Sequence, residues 1–287
     1  MRAAAPASAT AKPSVATLRD DGFAVFEGFL PPSAVETVRA EVERALAQPL
    51  PPACERPHNT LAPLGFADAP VTTILGSAPR RTAVARAAGG HDLRFVSAYA
   101  SVKEPRSEAL WWHQDWWCWD HPVSLRAEAP QVALLCYLSD TSASAGALRV
   151  LPGSHRWSVP LHAALPEAHA SGAAGVAADH PAMSDHDGQA TLALRAGDAV
   201  MLDYRLLHGT HPNRGHDRRA CVLLSFAPSW RTLPDDVRAH LIRHPALPSA
   251  ADRGALPGWA DELLPAYDGV PRDLPLNRTA PSEFAVR

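Results

Sequence analysis

Val132-Ala133-Leu134-Leu135-Cys136-Tyr137-Leu138 is a seven-residue run without a charge, bounded by Gln131 and Ser139. A membrane-spanning helix needs about 20 consecutive apolar residues, and this is the longest candidate in the chain, so its size is that of a strand. Similar runs lie on either side, at residues 95–102, 148–151, 191–194, 199–202 and 220–226, each rich in Val, Leu or aromatic residues. Turn-forming triplets separate several of them, among them Ser144-Ala145-Gly146, Pro152-Gly153-Ser154 and Ala196-Gly197-Asp198. Many short strands without an intervening helical period predict a mainly β fold. A double-sheet jelly roll, the double-stranded β-helix, is one solution to that pattern.

Outside this core, residues 22–26 read as a short strand. Ser33 and Glu36 have capping-box spacing, and Val35, Val38, Val42 and Leu46 follow at helical spacing. The prediction is an amphipathic helix over 33–48, ended by Pro49, Pro51 and Pro52. A second helix is expected near 79–88 and a third around 234–243. Residues 162–190 form a polar, Ala-rich insertion carrying His169, His180 and His186, and a loop of that length is usually functional or mobile. The first 15 residues are rich in Ala, Pro and Ser and read as a flexible tail. Residues 16–287 read as one domain, with a jelly-roll core over about 93–228 and a Pro-rich C-terminal segment, 229–287, that could pack on it as a lid.

The chain has 287 residues and a formal charge of −3, with no long basic run, so nucleic acid is not an expected partner and neither is a membrane. Four scattered cysteines, Cys54, Cys118, Cys136 and Cys221, form no C-x-x-C pair. Neither a zinc site nor a disulfide framework is indicated, and a cytoplasmic location is the default. Monomer and homodimer are both open.

The chemistry begins at His113-Gln114-Asp115. With 14 histidines in the chain, roughly one H-x-D triplet is expected by accident. On an extended strand, however, residues two apart face the same side, so His113 and Asp115 could share one ion while Gln114 points away. His208, just beyond the 199–202 run, could supply the third ligand or be an ordinary loop histidine. Two imidazoles and one carboxylate leave open positions on a metal and suit non-haem Fe(II) and O2 chemistry. Arg218 and Arg219 open an otherwise apolar strand. A guanidinium offers a carboxylate such as the far end of 2-oxoglutarate a bidentate partner. The alternative is that both arginines sit at the surface.

Several ordered motifs give the chain a resemblance to the phytanoyl-CoA dioxygenase family of Fe(II)/2-oxoglutarate oxygenases. They are Asp21-Gly22-Phe23 to Phe29-Leu30, Trp112-His113-Gln114-Asp115, Tyr137-Leu138-Ser139-Asp140, Gly146 to His155, and Gly197-Asp198-Ala199-Val200 to His208-Gly209-Thr210-His211-Pro212-Asn213-Arg214. The resemblance implies a jelly-roll core with His113, Asp115 and His208 as iron ligands. It implies Arg219 as the 2-oxoglutarate arginine, with adjacent Arg218 as the alternative. Lys103 resembles a position that helps bind the co-substrate carboxylate, or it simply ends its strand. Related halogenases replace the carboxylate ligand with a small residue. Retention of Asp115 therefore implies oxygen insertion, with hydroxylation of an unactivated C–H bond of a small molecule as the expected outcome. Desaturation, epoxidation or rearrangement on the same scaffold, and a non-catalytic metal-binding jelly roll, are the alternatives.

Trp111, Trp112, Trp116, Trp117 and Trp119 crowd the metal motif. Trp119 resembles the substrate-facing tryptophan of ectoine hydroxylases. Trp116, Trp117 and Trp119 are accordingly expected to line the substrate pocket, or else to plug the barrel mouth. The segment after Trp119 differs from those enzymes, so ectoine is not the predicted substrate. A small molecule of specialised metabolism is.

Overall fold

The computed structural model describes residues 15–49, 55–56, 59–165, 176–177 and 179–286. The tail expected over the first 15 residues therefore lies almost wholly outside the described residues, as does part of the 162–190 insertion. Four strands form the centre of the larger sheet: β4 (Arg94–Lys103), β6 (Val132–Tyr137), β9 (Ala199–Asp203) and β11 (Arg219–Ala227). With β1 (Phe23–Phe26), β2 (Glu55–Arg56) and β3 (Asn59–Leu64), they make a seven-stranded sheet in the order β1-β9-β6-β11-β4-β3-β2. The smaller sheet has the order β5-β10-β7-β8, from β5 (Leu110–His113), β7 (Leu148–Val150), β8 (Ala190–Leu192) and β10 (His208–Thr210). Every strand pair in both sheets is antiparallel. This is the expected jelly roll.

The apolar runs lack polar alternation because both faces of the larger sheet are covered. On β6, Val132, Leu134 and Cys136 pack towards the helical layer of α2 (Pro32–Leu46), α3 (Ala69–Leu75) and α4 (Ala78–Ala88). Ala133, Leu135 and Tyr137 belong to the cluster between the sheets, with Leu148, Val150 and Trp116. Each fully buried Leu or Val on either face contributes about 1.5–3 kcal/mol. The same period of two governs β11. Ala220, Val222, Leu224 and Phe226 face the helices, so Arg219, Cys221 and Leu223 face inward.

The helix predicted over 33–48 is α2, but the capping box is not formed. The helix starts one residue earlier, with Pro31 at the cap and Pro32 in the first turn, and no side chain caps it. Proline suits that position because its fixed φ is helical and its missing N–H is not needed there. α4 and α5 (Asp235–Leu241) lie where the sequence predicted helices. Helices α1 (Val15–Asp21) and α3 were not anticipated.

The described part of the 162–190 insertion is not structureless. Residues 181–183 form a 3-10 turn held against the smaller sheet. There the Trp112 indole N–H donates to the Ser184 carbonyl at 2.8 Å, and Arg149 donates to the Ser184 carbonyl at 3.0 Å and to the Asp185 carboxylate at 3.2 Å. At the other end of the chain, α5 leads into a strap that crosses the barrel mouth. Asn277 pairs by its backbone with Trp117 and Trp119, at 2.9 and 3.0 Å. Further on, Ala285 bridges to Trp157. Among the described residues, no helix is long and apolar enough to cross a membrane.

Candidate metal and co-substrate centre

His113 ends β5 and His208 begins β10, and the two are direct partners across that strand pair. Their rings lie 4.3 Å apart, centroid to centroid. Each Nδ1–H donates to the carbonyl two residues back, His113 to Trp111 at 2.9 Å and His208 to Leu206 at 3.0 Å. That fixes the tautomer and leaves each Nε2 with its lone pair for a metal. Both Nε2 atoms lie 3.6 Å from the Asp115 carboxylate, one from each oxygen. The three side chains form the His/Asp cluster capable of holding a metal ion among the described residues, with ligand atoms all within 4.8 Å of one another.

Asp115 reaches this place by a different route from the one the sequence suggested. β5 stops at His113, so strand alternation does not aim the carboxylate. The backbone N–H groups of Asp115 and Trp116 instead both donate to the Tyr204 carbonyl, at 3.0 and 2.9 Å. The Gln114 amide turns away and donates to the Arg205 carbonyl. The 203–206 turn that supplies these acceptors is itself locked. Fully buried Arg205 forks onto Asp203, at 3.0 and 2.6 Å, and donates to the carbonyls of Ser124 and Arg126. Burial alone would push the Asp203 carboxyl up, but Arg205 outweighs it and holds the group below its ordinary value. His208 follows directly on this turn, as the first residue of a strand rather than in a loop.

The triad opens on a cavity of about 80 Å³ whose other walls include Trp111, Tyr137 and Arg219. Arg219 is 3% exposed and its guanidinium lies 5.7 Å from the Tyr137 ring centroid. Its Nη1 reaches the Cys221 sulfur at 3.3 Å, while its Nε and the Tyr137 hydroxyl, both buried, have no hydrogen-bond partner among the described residues. Buried polar groups are normally satisfied. Two unsatisfied donors at one end of a cavity, with three metal donors at the other, fit a molecule that chelates a metal and carries a distant carboxylate. Burial raises the Tyr137 phenol, so it stays a neutral donor.

Of the arginine pair, Arg219 alone faces the cavity. Arg218 precedes the strand and lies on the surface, paired with Glu104 at 2.9 Å and Glu43 at 3.0 Å, which removes it as the inward-facing alternative. Lys103 pairs with Arg219 across the sheet and is fully buried, yet it does not line the cavity. Its ammonium donates to the Glu108 carbonyl. Burial first, then Arg219, pull it down to about 7 against the opposing pull of Glu108. Gly146, at φ +66°, makes room for it, since a Cβ there would sit 2.9 Å from the Lys103 side chain.

A second cavity, of about 250 Å³, adjoins the first and shares Asp115, Leu61 and Leu223 with it. Trp117 lines it, together with Tyr99, His240, His244 and Arg278. The other two tryptophans expected at the pocket line neither cavity. Trp116 is fully buried, its indole N–H bound to the Ser124 hydroxyl at 2.8 Å, and Trp119 packs on Phe284 with centroids 4.9 Å apart. Consecutive loop residues, rather than an alternating strand, explain that division. Sequence reasoning missed Tyr137, Trp111 and Arg278 as residues that line the two cavities. Tyr137 was within reach, because it shares the inward face of β6 and pairs with Cys221, two residues from Arg219.

A jelly roll that brings two histidines and one carboxylate to a single open face defines a non-haem iron oxygenase. The chain belongs to the phytanoyl-CoA dioxygenase family of Fe(II)- and 2-oxoglutarate-dependent dioxygenases, whose model matches residues 18–221. It is 27% identical over 241 residues to the ectoine dioxygenase of Nocardia farcinica, a match spanning 78% of this chain and 80% of that one. Among solved structures it resembles HygX of Streptomyces hygroscopicus with nickel, 2-oxoglutarate and hygromycin B bound (22% identity, TM-score 0.54, 76% of this chain and 87% of that one). It also resembles the 2-oxoglutarate-dependent epimerase SnoN from nogalamycin biosynthesis (21% identity, TM-score 0.54, 74% and 81%).

Proposed function

We propose that this dioxygenase hydroxylates an unactivated C–H bond of a small molecule of specialised metabolism, consuming O2 and 2-oxoglutarate and releasing succinate and CO2. The observation that carries the reading is the pairing of a His113–Asp115–His208 cluster with two partnerless buried donors, on Arg219 and Tyr137, in one cavity. His113, Asp115 and His208 would hold Fe(II), and Arg219 with Tyr137 would hold the far carboxylate of 2-oxoglutarate. Iron and co-substrate together supply the oxidant. The chain's own part is to fix both imidazoles through Nδ1, to orient the co-substrate and to keep water out. Asp115 belongs to both cavities, so a substrate in the larger one lies beside the metal. Residues 16–287 act as one unit in this reading, with the segment after residue 229 closing the substrate side. HygX, solved with hygromycin B bound, and SnoN, from nogalamycin biosynthesis, support a role in specialised metabolism.

The test is Asp115→Ala alongside the wild type, both reconstituted with Fe(II). The wild type should retain iron on gel filtration and form succinate from 2-oxoglutarate. The variant should do neither, with an unchanged circular dichroism spectrum. Full succinate formation by the variant removes the triad from the mechanism. Product mass then distinguishes gain of one oxygen from loss of two hydrogens.

A further inference from the structure

We infer that the buried Asp203–Arg205 pair positions the metal ligands: acting through the 203–206 turn, it aims Asp115 and His208, and metal affinity depends on it although neither residue touches the metal. The inference rests on the oxygenase reading above and deepens it by naming what sets the geometry of the centre. Three consecutive carbonyls of the turn hold parts of that centre. The Tyr204 carbonyl accepts the backbone N–H groups of Asp115 and Trp116, at 3.0 and 2.9 Å. The Arg205 carbonyl accepts the side-chain amide of Gln114, which lies between two of the ligands in the chain. The Leu206 carbonyl accepts the Nδ1–H of His208 at 3.0 Å, which leaves Nε2 for the metal. A shift of this turn would therefore displace two of the three ligands together.

The pair holds the turn at several points. Asp203 Oδ1 accepts the Arg205 backbone N–H at 2.8 Å and the Arg205 Nε–H at 3.0 Å, while Oδ2 accepts from Nη2 at 2.6 Å. Nη1 of the same guanidinium donates to the carbonyls of Ser124, at 3.0 Å, and Arg126, at 2.7 Å. One planar group thereby ties the turn to the 124–126 segment, a geometry that a lysine ammonium does not reproduce. Both side chains are buried.

Stability alone does not account for such a pair. The desolvation of two buried charges largely offsets their attraction, and apolar residues of similar volume often hold a fold as well. What the fork adds here is one fixed conformation for a turn that carries metal ligands. Neighbours that orient ligands in this way are typically worth about 10- to 100-fold in metal affinity. Neither Asp203 nor Arg205 lines the metal cavity or the larger one. Their effect on the metal must therefore pass through the turn.

The test titrates metal-free, full-length protein with Ni(II) alone in a calorimeter. Asp203→Asn/Arg205→Met removes both charges, so neither is left stranded, and keeps an acceptor for the N–H of residue 205. Its Kd for nickel should rise by about 10- to 100-fold, and Arg205→Lys should lie between it and the wild type. Amide exchange of the metal-free proteins gives a readout that a purely structural role would not move. The amides of Asp115 and Trp116 should exchange faster in the double variant, with those of β6 and β11 unchanged. Val38→Ala, in the helical layer on the other face of the larger sheet, is the control. It should lower the urea midpoint and leave the nickel Kd unchanged. Wild-type nickel affinity in the double variant overturns the inference, and so does an equal loss in Val38→Ala. A double variant that does not fold leaves Arg205→Lys to decide, and wild-type affinity and exchange in that variant overturn the inference. Succinate formation by the iron-loaded wild type is measured in parallel. Nickel affinity that depends on the pair, without succinate formation, sinks the oxygenase reading and leaves the positioning pair standing; succinate formation with equal nickel affinities does the reverse.

Discussion

Tyr137→Phe should move two quantities in opposite directions. The hydroxyl is buried at the closed end of the metal cavity and has no hydrogen-bond partner among the described residues. Burying such a group unsatisfied costs about 1–3 kcal/mol, and removing it alters neither the shape of the ring nor its contact with Arg219. The metal-free, co-substrate-free variant should therefore unfold at higher urea, by about 1 kcal/mol or more. In the proposed complex, the same hydroxyl would donate to the 2-oxoglutarate carboxylate, a bond worth about 1.5–3 kcal/mol. The Kd for 2-oxoglutarate should consequently rise by about 10- to 150-fold. Urea unfolding of the apo protein, and calorimetric titration of the nickel-loaded protein with 2-oxoglutarate, measure the two effects separately. A variant that binds 2-oxoglutarate as tightly as the wild type refutes the assignment of this end of the cavity. A less stable apo variant refutes the claim that the hydroxyl is unsatisfied.

Arg219→Lys, which loses the planar fork, should raise the KM for 2-oxoglutarate by about tenfold or more. Arg218→Gln should leave that KM unchanged and shift stability by less than about 1 kcal/mol, since its ion pairs are exposed. Gly146→Ala should cost about 1–2 kcal/mol in thermal or urea unfolding, because the residue sits at φ +66° and its new methyl would press on Lys103. Acid should also destabilise the fold. His162 and His244 are each pulled from 6.5 to about 4 by burial, so between those values the unfolded chain binds protons that the folded chain does not. Stability is full above about 6.5 and falls as pH drops towards 4, by up to about 2.7 kcal/mol per pH unit for the two together. Urea midpoints between pH 7 and pH 5 measure that slope, and a flat profile contradicts it.

The central strands were legible because each run is apolar on both faces, which marks its position without indicating its partner. The H-x-D spacing points to Asp115 for a sound chemical reason but an incorrect geometric one. Its position depends on the Tyr204 carbonyl, contributed by a turn some ninety residues later, and no local pattern encodes that contact. Arg219 could be separated from Arg218 only once the register of β11 against β6 was known, because the period of two then puts one residue inside and leaves its neighbour out. The tryptophans were harder. Residues 116–119 follow a loop path, so neither a period of two nor a helical period sorts the pocket-facing indole from the structural ones. The larger cavity left no trace at all in the sequence, since Tyr99, His240, His244 and Arg278, which line it, come from three distant segments, none of them a motif.

The pairing of Asn277 with Trp117 and Trp119 joins positions far apart in the chain. During synthesis the jelly roll can assemble its sheets, and the triad its three ligands, once β11 has emerged. The wall of the larger cavity cannot, because it waits for Leu276 and Arg278, which follow β11 by some fifty residues. A nascent chain that has made β11 but not yet Asn277 would thus leave the His113–Asp115–His208 cluster open to water on that side. Adding the strap around Asn277 is thus also what encloses the cluster.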